Sequence, residues 1–409
     1  MIRVLFLTES FHPVLGGGEQ HIRALGERLV QAGMGTTVVT RRGEASWARE
    51  ELLGGIRVVR VFPPGPGRTG KYAMVLPALA AVWREPHDLL VVRGTRILGL
   101  PGLLAGRARR RPVVLQPELN GEMSGEVYLW GRPWAQGPAG SLVRGGVALR
   151  NVLLRDADAF VAMSRAIREE LLTAGVADER IALIPHGVDT GRFRPADERE
   201  RTDLRGRLGL PASALLVTST GRLLKGKGLE TLIEAFATLA SRDPRPHLLI
   251  VGSGAGQALS IEAEIRADVE ARGLGGRVTF TGRVENVEDY LRASDVFAFP
   301  SLFEALGLSL LEAAACGLPC VGSRTGGIVD VIEDGRSGLL VLPGDAPALA
   351  GALLTLASDL DRRRAMGMRG RHVAVSRFDV EDSIDRYRSL FHELCSRAAG
   401  PRAARGGGA

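Results

Sequence analysis

The sequence predicts an α/β protein with two doubly wound, Rossmann-like domains of parallel sheet that face each other across a cleft. Its 409 residues are too many for one ordinary domain and enough for two full cores. Short runs rich in β-branched residues alternate with stretches of helical period along nearly the whole chain, which is the pattern of parallel α/β layers. A polar, charged stretch without strand period, residues 187–207, divides these runs into two series.

The first series predicts an N-terminal domain over residues 1–188. Between its first two strands, the segment from Gly18 to Ala32 has a helical pattern. Helices are also expected between the later strands, because parallel neighbours need a crossover connection. The predicted strands are Arg3–Thr8, Thr36–Thr40, Ile56–Val61, Leu89–Arg93, Val113–Gln116, Ala159–Ala162 and Ile181–Ile184.

The second series predicts a C-terminal domain over residues 189–379. An amphipathic helix over residues 380–396 follows it and is expected to cross back to the first domain. Residues 397–409 are basic and rich in glycine, so we expect a disordered tail there. The predicted strands are Leu215–Thr220, His247–Val251, Val278–Thr281, Val296–Phe299, Cys320–Ser323 and Gly338–Val341.

Composition is that of an ordinary globular protein, with 45% apolar and 24% charged residues. The apolar run within the first thirteen residues is too short for a signal peptide or a membrane span. We therefore expect a cytoplasmic protein. Its three cysteines, Cys316, Cys320 and Cys395, have no metal-binding spacing, and reduced thiols are expected.

A net charge of +7 raises the question of an acidic partner. All but three of the 53 basic residues are arginine, which indicates a coding bias rather than adaptation to a ligand. Nucleic-acid binding is not expected, because the basic residues are dispersed and only 5% of residues are aromatic. The basic run Arg107–Arg111 and the apolar segment Tyr72–Trp83 leave open a peripheral contact with an anionic membrane on its inner face.

The segment Ser301–Glu312, which reads S-L-F-E-A-L-G-L-S-L-L-E, is the strongest candidate for a binding site. Two acids, Glu304 and Glu312, bracket an otherwise almost wholly apolar stretch. We expect Glu304 in a loop after a strand and Glu312 in the helix that follows. The amides of Leu306, Gly307, Leu308 and Ser309 would then be the unpaired donors of a helix N-terminus, which suits a phosphate. A core helix with two surface glutamates is the alternative.

Three further turns follow predicted strands, where α/β sheets bind ligands. In G-R-L-L-K-G-K-G, Arg222 and Lys227 are suited to grip a phosphate. Lysine is rare in this chain, which makes Lys227 more informative than a basic residue elsewhere. Gly16–Gly18 permit backbone amides to approach a phosphate. Val284, after another strand, lies where a base could rest on backbone groups. A solvated basic loop and a plain strand-to-helix turn are the alternatives for the first two.

Three other features are interpreted as structural. The Asp-x-Asp triplet, Asp156–Asp158, stands just before a strand, at the end opposite to the one where ligands bind, so no metal site is expected. Ser164 fits a helix N-cap rather than a nucleophile. His186, after the last strand of the first domain, fits an ordinary hydrogen-bonded histidine.

Taken in order, glycines 16–18, I-P-H-G-V-D-T-G-R-F-R-P, G-R-L-L-K-G-K-G and the two glutamates spaced E-x7-E resemble the family-4 glycosyltransferases of the GT-B fold. The resemblance extends from Ile2 to about Leu394. It implies retaining transfer from a nucleoside diphosphate sugar to a hydroxyl acceptor, a donor held mainly by the second domain, and no required metal or other cofactor.

The resemblance also implies roles for residues at the matching positions. Arg222 and Lys227 would neutralise the diphosphate. Glu304 would contact the hydroxyls of the donor sugar, and Glu312 would bind the ribose. Gly17 and Gly18 would close on the phosphates from the first domain. Catalysis would therefore fall to Glu304, Arg222 and Lys227.

One departure concerns the acceptor side. Many members of the family carry a histidine after the strand equivalent to Val113–Gln116, whereas this chain reads L-Q-P-E-L-N-G-E. Either Glu118 or Asn120 would take its place. Three loops of the first domain would shape the acceptor site, namely residues 43–55, 63–72 and 119–140. A nucleotide-sugar epimerase or hydrolase of the same fold, and a non-catalytic nucleotide-sugar binder or membrane-surface scaffold, are the alternative functions.

Overall fold

A computed structural model describes residues 1–14, 16–65, 67–257 and 259–399 of the chain. Its described residues divide into two compact units, the first formed by residues up to 185 together with residues 383–399, and the second by residues from 186 to 382. The sequence placed these divisions at residues 188 and 380, each within three residues of the observed positions.

The first unit contains an eight-stranded sheet in the order β3-β4-β2-β1-β5-β6-β7-β8. Every neighbouring pair is parallel except β3 and β4, which are antiparallel. Apolar runs such as the fully buried β5 explain the sheet, because strands covered on both faces are apolar throughout. The strands are β1 Arg3–Thr8, β2 Gly35–Arg41, β3 Glu50–Leu53, β4 Ile56–Val61, β5 Leu89–Arg93, β6 Val113–Gln116, β7 Ala159–Ala162 and β8 Ile181–Leu183.

Helices connect most of these strands, although none lies between β2 and β3 or between β3 and β4, and the helix Val380–Ala399 belongs to the same unit. That helix packs on the sheet through buried Tyr387 and Phe391, and the ring of Phe391 meets that of Phe6 on β1 edge to face. The helices of this unit are α1 Gly17–Gln31, α2 Gly67–Ala73, α3 Val75–Arg84, α4 Gly99–Ala108, α5 Glu126–Leu129, α6 Pro138–Leu154 and α7 Arg165–Thr173; the last helix of the chain, Val380–Ala399, is numbered α16 below.

The second unit contains a wholly parallel six-stranded sheet in the order β11-β10-β9-β12-β13-β14. Its strands are β9 Leu215–Thr220, β10 Pro246–Val251, β11 Val278–Gly282, β12 Val296–Phe299, β13 Cys320–Ser323 and β14 Gly338–Val341. Its helices are α8 Glu198–Arg207, α9 Leu229–Arg242, α10 Glu262–Ala271, α11 Val287–Arg292, α12 Leu308–Ala315, α13 Ile328–Val331, α14 Ala346–Ser358 and α15 Leu360–Arg377. The predicted fold class, two α/β units with parallel sheets, is confirmed.

Strand order reverses once in each sheet, between β1 and β5 in the first and between β9 and β12 in the second. At such a switch point the connections leave the strands on opposite faces, which opens a crevice at their carboxyl ends. The candidate residues follow these strands.

Four sequence predictions of local structure are corrected. Residues 50–53 form an edge strand within a predicted loop, and α2 occupies most of the loop predicted at 63–72. Residues 198–207 form a helix inside the polar stretch between the domains. The last helix continues to Ala399, so residues 397–399 are helical, and the rest of the predicted tail lies outside the described residues.

Candidate functional site

In the second unit, the loops that follow β9 and β12 touch each other at the switch point. The Leu302 amide donates to the Gly226 carbonyl at 2.9 Å. Gly228 has φ +70°, and a Cβ built on it would lie 1.9 Å from the Pro300 carbonyl oxygen. Only glycine fits there, because a side chain would force the two loops apart.

Lys227 and Glu304 form a close ion pair between these two loops. Their Nζ and Oε2 atoms are 2.7 Å apart, with 31% of the lysine and 16% of the glutamate side chain exposed. The ammonium also lies 5.9 Å from the centre of the Phe299 ring. On the other side, the Glu304 carbonyl accepts the Gly327 amide at 3.2 Å. The structure thus joins two residues that the sequence placed 77 positions apart.

Helix α12 begins directly after this pair. Gly307 is its N-cap in the left-handed conformation, with φ +96°. Leu306 is buried and Leu308 half-buried, so both anchor the turn. The first amides of a helix have no acceptor within it, and those of Leu308 and Ser309 occupy that position here. Donors and the helix dipole together suit an anion at this end.

Glu312 lies on α12 with only 8% of its surface exposed. Burial raises the pKa of its carboxyl to about 8, opposed by the Arg192 guanidinium and reinforced by Glu288. Arg192 donates to Glu288 Oε2 at 2.7 Å and to the Glu285 carbonyl at 3.1 Å. Glu312 therefore does not fit the alternative of a surface glutamate. The sequence did not single out Arg192, although the I-P-H-G-V-D-T-G-R-F-R-P motif contains it.

The remaining donor-side candidates have simpler surroundings. The Arg222 side chain is exposed on the loop after β9. Val284 is half-buried and packs against a cluster that includes Leu216 and Leu249. Packing therefore accounts for its side chain, and contact with a base stays a prediction.

Three buried hydroxyls follow neighbouring strands of the second sheet. Thr220 ends β9, Ser301 follows β12 and Ser323 ends β13. Within the part of the chain that the structure describes, none of these hydroxyls has a hydrogen-bond partner. Buried polar groups in native proteins nearly always have partners, so these positions favour water or a polar ligand at this edge of the sheet.

In the first unit, a buried arginine links the glycine turn to Glu118. Arg93 ends β5 and is 1% exposed. Its Nη1 donates to the Gly18 carbonyl at 2.7 Å, and its Nη2 lies 3.4 Å from Glu118 Oε1. Gly17 is the first residue of α1. One guanidinium thus contacts both the glycine turn and the acid after β6, and a Cβ built on Gly18 would lie 3.8 Å from Glu118 Oε1.

The side chain of Glu118 is 32% exposed; the loss of water around the rest of it raises its pKa to about 7, while Arg93 opposes this shift. Three neighbouring carboxylates add to the rise in pKa, namely Glu122, Glu19 and Glu9. A carboxyl with a pKa near neutrality can exchange a proton under ordinary conditions.

Glu122 fixes the backbone that carries Glu118. Its carboxylate accepts four hydrogen bonds, from the amide and hydroxyl of Thr95 and from the amides of Glu118 and Leu119, at 2.7–3.2 Å. Burial raises the pKa of Glu122. Asn120, the other acceptor-side candidate, is half-buried in the same turn.

Arg93 and Glu122 were missed by the sequence interpretation. A charged residue ending the run Leu89–Arg93 was a usable signal, because that strand is otherwise apolar. Glu122 stands in the quoted segment L-Q-P-E-L-N-G-E, but nothing in the sequence pairs it with Thr95, which is 27 residues away.

The patterns interpreted as structural have identifiable contacts. Asp158 accepts the Val113 amide at 2.8 Å and Asp156 pairs with Arg107 at 2.9 Å. The Ser164 hydroxyl accepts the Ile167 amide at 3.3 Å, which confirms the predicted N-cap. Among the described residues, no three or more His, Cys, Asp or Glu side chains cluster as metal ligands. No helix in the described ranges is both long and apolar enough to cross a bilayer.

Fold and site together define a glycosyltransferase of the GT-B class. Residues 200–373 match the model for glycosyl transferases group 1, and residues 15–192 match the model for glycosyltransferase family 4. The chain belongs to the family-4 glycosyltransferases of the GT-B fold.

Similar proteins span nearly the whole chain. A GDP-mannose-dependent α-(1-6)-phosphatidylinositol monomannoside mannosyltransferase of Mycolicibacterium smegmatis is 30% identical over 388 residues, 91% of this chain and 94% of that protein. D-inositol 3-phosphate glycosyltransferase 1 of Catenulispora acidiphila is 28% identical, over 94% of this chain and 92% of its own. Among solved structures, sucrose-phosphate synthase of Thermosynechococcus elongatus superposes with a TM-score of 0.80 and 26% identity, over 97% of this chain and 100% of its own.

Proposed function

We propose that this glycosyltransferase moves a sugar from a nucleoside diphosphate donor to a hydroxyl acceptor, with retention of the anomeric configuration and without a metal. The observation that carries the proposal is the Lys227–Glu304 pair at the switch point of the second sheet. A cation and a carboxylate lie beside the N-terminus of α12, and the donor has two parts that these groups can bind, a diphosphate and a sugar. The diphosphate needs positive charge, and the sugar needs hydrogen-bond acceptors.

Lys227 and Glu304 can each bind part of the donor while they pair with each other. A lysine ammonium has three N–H donors, of which Glu304 takes one. The other two can meet phosphate oxygens. A carboxylate has about four lone-pair sites, so Glu304 can accept hydrogen bonds from sugar hydroxyls while it pairs with Lys227. Arg222, which is exposed on the same loop, and the first amides of α12 add further positive charge.

Transfer breaks the bond between the anomeric carbon and the diphosphate oxygen and forms a bond to the acceptor oxygen on the same face of the sugar. Negative charge grows on the departing diphosphate, while the ring takes on oxocarbenium character. Lys227, Arg222 and the α12 amides therefore bind the transition state more strongly than the ground state. The acceptor's proton leaves with the diphosphate.

Glu312 belongs to the nucleotide end of the donor in this proposal. With its pKa raised to about 8, its carboxyl carries a proton at neutral pH in the free protein. A protonated carboxyl both donates and accepts hydrogen bonds, which suits the two hydroxyls of a ribose. Arg192 acts on this carboxyl as a neighbouring positive charge.

On the acceptor side we assign Glu118 rather than Asn120 as the residue that meets the reacting hydroxyl. Its carboxylate faces Arg93 and the glycine turn. With its pKa raised to about 7, the ionised carboxylate is a stronger base, and so a better acceptor for the hydroxyl's proton, than an ordinary glutamate. Asn120 then contributes to the shape of the turn.

GDP-mannose is the first donor to test, because the M. smegmatis relative that this chain covers at 94% is named as GDP-mannose-dependent. The names of the two relatives indicate acceptors that contain inositol, either as a lipid or as a soluble phosphate. We therefore propose an inositol-containing acceptor as the first class to test.

The experiment incubates the full chain with GDP-mannose or UDP-glucose, with and without phosphatidylinositol monomannoside or inositol 3-phosphate, in buffer with and without EDTA. Mass spectrometry detects the product and NMR of its anomeric proton reports configuration. We expect an acceptor-dependent product of retained configuration in both buffers. Inverted product, or loss of activity in EDTA that Mg²⁺ restores, would overturn those parts of the proposal.

Variants test the site itself. Lys227→Met and Glu304→Gln should each lower kcat about 10²-fold or more, as loss of a transition-state charge contact does. Lys225→Met is the matched control, since this exposed lysine lies two residues away. Full activity in both site variants would refute the assignment. Free sugar or an altered nucleotide sugar formed without acceptor would indicate the hydrolase or the epimerase instead.

A further inference from the structure

Arg96 lies just beyond the carboxyl end of β5, at the switch point of the first sheet. The turn that carries it is fixed, because the amide and the hydroxyl of Thr95 both donate to Glu122 Oε2, at 2.7 and 2.8 Å. In the same turn, a Cβ built on Gly94 would lie 3.5 Å from Glu118 Oε2. Arg96 therefore belongs to the edge of the sheet where we place the acceptor.

The guanidinium of Arg96 has donors that its neighbours do not use. Its Nε is buried and has no hydrogen-bond partner within the part of the chain that the structure describes. The carboxylate with which it pairs, Glu122, has Oε1 4.0 Å from this Nε, which is beyond hydrogen-bond reach. That oxygen already accepts the amides of Glu118 and Leu119 at 3.2 Å. Buried donors nearly always have partners, so Arg96 favours a ligand or water that supplies oxygens.

Tyr128 and Arg150 lie beside this guanidinium. Arg150 is engaged, since its Nη1 donates to Tyr128 Oη at 3.1 Å and its Nη2 to the Glu122 carbonyl at 2.6 Å. Burial raises the pKa of Tyr128, and the positive charges of Arg150 and Arg96 oppose this rise, so both guanidiniums lie near the phenol. A hydroxyl that accepts from one arginine still has its own proton to donate. Arg96 and Tyr128 can therefore donate to one anion.

The side chain of Arg96 is 27% exposed, so part of it is open to a ligand. A guanidinium presents five N–H donors in a planar fork. A carboxylate offers two oxygens and matches one edge of that fork. A phosphate offers further oxygens, which suits both the buried Nε and the remaining Nη donors. The shape of the free donor set therefore favours phosphate over carboxylate.

We propose that Arg96 binds a phosphate ester carried by the acceptor, and that Tyr128 donates to the same group. The inference rests on the proposed function, in which Glu118 meets the reacting hydroxyl of the acceptor. Arg96 thus selects acceptors that carry phosphate close to that hydroxyl. A soluble phosphate monoester and the phosphodiester of a lipid headgroup both supply this chemistry, and the experiment distinguishes them.

The test is calorimetry on the full chain with saturating GDP or UDP, whichever binds, so that the diphosphate site is occupied and the acceptor side is open. The probes are inositol 3-phosphate, dihexanoyl phosphatidylinositol below its micellar concentration, and myo-inositol. We expect at least one ester to bind at least tenfold more tightly than myo-inositol, and the tighter ester identifies the source of the phosphate. Equal binding of all three, or no binding of either ester to the nucleotide complex, overturns the proposal.

Variants locate the contact. Arg96→Met should weaken binding of the ester at least tenfold, as loss of a charge-assisted hydrogen bond does, and Arg96→Lys should recover part of this loss. Tyr128→Phe should weaken binding about threefold or more. The matched control, Arg144→Met, removes an exposed arginine of α6 in the same unit and should bind as the wild type does. An equal loss for ester and myo-inositol in Arg96→Met would mean that Arg96 only holds the turn, and the proposal would be wrong.

Steady-state kinetics separate this inference from the proposed function. In Arg96→Met the KM for the ester should rise at least tenfold, with kcat changed less than threefold and the Kd of the nucleotide unchanged. A wild type that binds neither GDP nor UDP would refute the proposed function itself. A wild type that binds nucleotide and transfers sugar, with the same KM for the ester in Arg96→Met, would refute only the role of Arg96.

Discussion

Replacement of Glu312 by glutamine should make the stability of the second unit less sensitive to pH. Burial raises the pKa of this carboxyl from the usual 4.5 to about 8 in the folded chain. The folded state therefore holds its proton more tightly than the unfolded state. Stability that is present at low pH is lost progressively as the pH rises from about 4.5 to about 8, and the loss then levels off. Glutamine carries no charge at any of these pH values, so the variant lacks this loss.

The size of the effect follows from the shift in pKa. Each unit corresponds to about 1.36 kcal/mol, so the penalty on the wild type grows by about 2 kcal/mol between pH 6 and pH 8. For a unit of this size, 1 kcal/mol moves the melting temperature by about 2–4 °C. The melting temperature of Glu312→Gln minus that of the wild type should therefore increase by about 4–8 °C over this range.

The measurement is a calorimetric melt at pH 6, 7 and 8, with the transition of the second unit followed separately. Glu264→Gln is the control, because it removes the same charge from an exposed position on α10 of that unit. Its difference from the wild type should stay constant. A constant difference for Glu312→Gln as well would show that Glu312 is ionised in the folded chain throughout, and the argument from burial would be refuted.

Further predictions concern the turns of both units. Gly307→Ala should destabilise the second unit by about 1–2 kcal/mol, since φ is +96° at this residue. It should also weaken donor binding, as measured by calorimetry. Gly335→Ala is the control, because φ is +73° there with open space around the residue; it should lower stability and leave donor binding unchanged. Arg93→Met should lower stability by about 3 kcal/mol or more, because a buried carbonyl and a carboxylate lose their partner. It should also raise the pKa of Glu118 further, and so move the acidic limb of the transfer rate to higher pH.

Most strands could be predicted because burial on both faces demands unbroken apolar runs. Leu89–Arg93 and Val296–Phe299 were predicted with the observed limits. The strand Glu50–Leu53 was missed since it lies at the edge of the sheet, where alternating exposure permits polar residues. Helix α8 was missed because it has almost no apolar stripe, although Asp197 caps it and acids precede basic residues along it.

The candidate site, like the fold, has parts that could be predicted from the sequence and parts that could not. The proximity of Lys227 and Glu304 could be predicted, because parallel sheets bring the ends of neighbouring strands to one edge; their role stays a prediction. The neighbours of two other candidates, Glu118 and Glu312, could not be predicted. Glu122 and Arg192 act through contacts that cross 27 and 96 residues of chain. Neither the spacing nor the composition of the sequence specifies such pairs.

Lysine rather than arginine stands at position 227, in the ion pair with Glu304 at the switch point of the second sheet. Only three of the 53 basic residues are lysine, and two of them pair with carboxylates at 2.7 Å, Lys71 with Glu9 and Lys227 with Glu304. A guanidinium at 227 would form a two-pronged contact and occupy both oxygens of Glu304. The ammonium of Lys227 meets the carboxylate at one oxygen, Oε2, and so holds it in a different geometry from a guanidinium.

Lys227→Arg should therefore bind the free nucleoside diphosphate nearly as well as the wild type, while kcat falls at least tenfold. Calorimetry with the diphosphate and steady-state kinetics with the donor measure the two effects on the same preparation. Equal losses in binding and in turnover would mean that Lys227 serves only as a charge. In that case the geometry with which Lys227 holds Glu304 would have no separate effect on turnover.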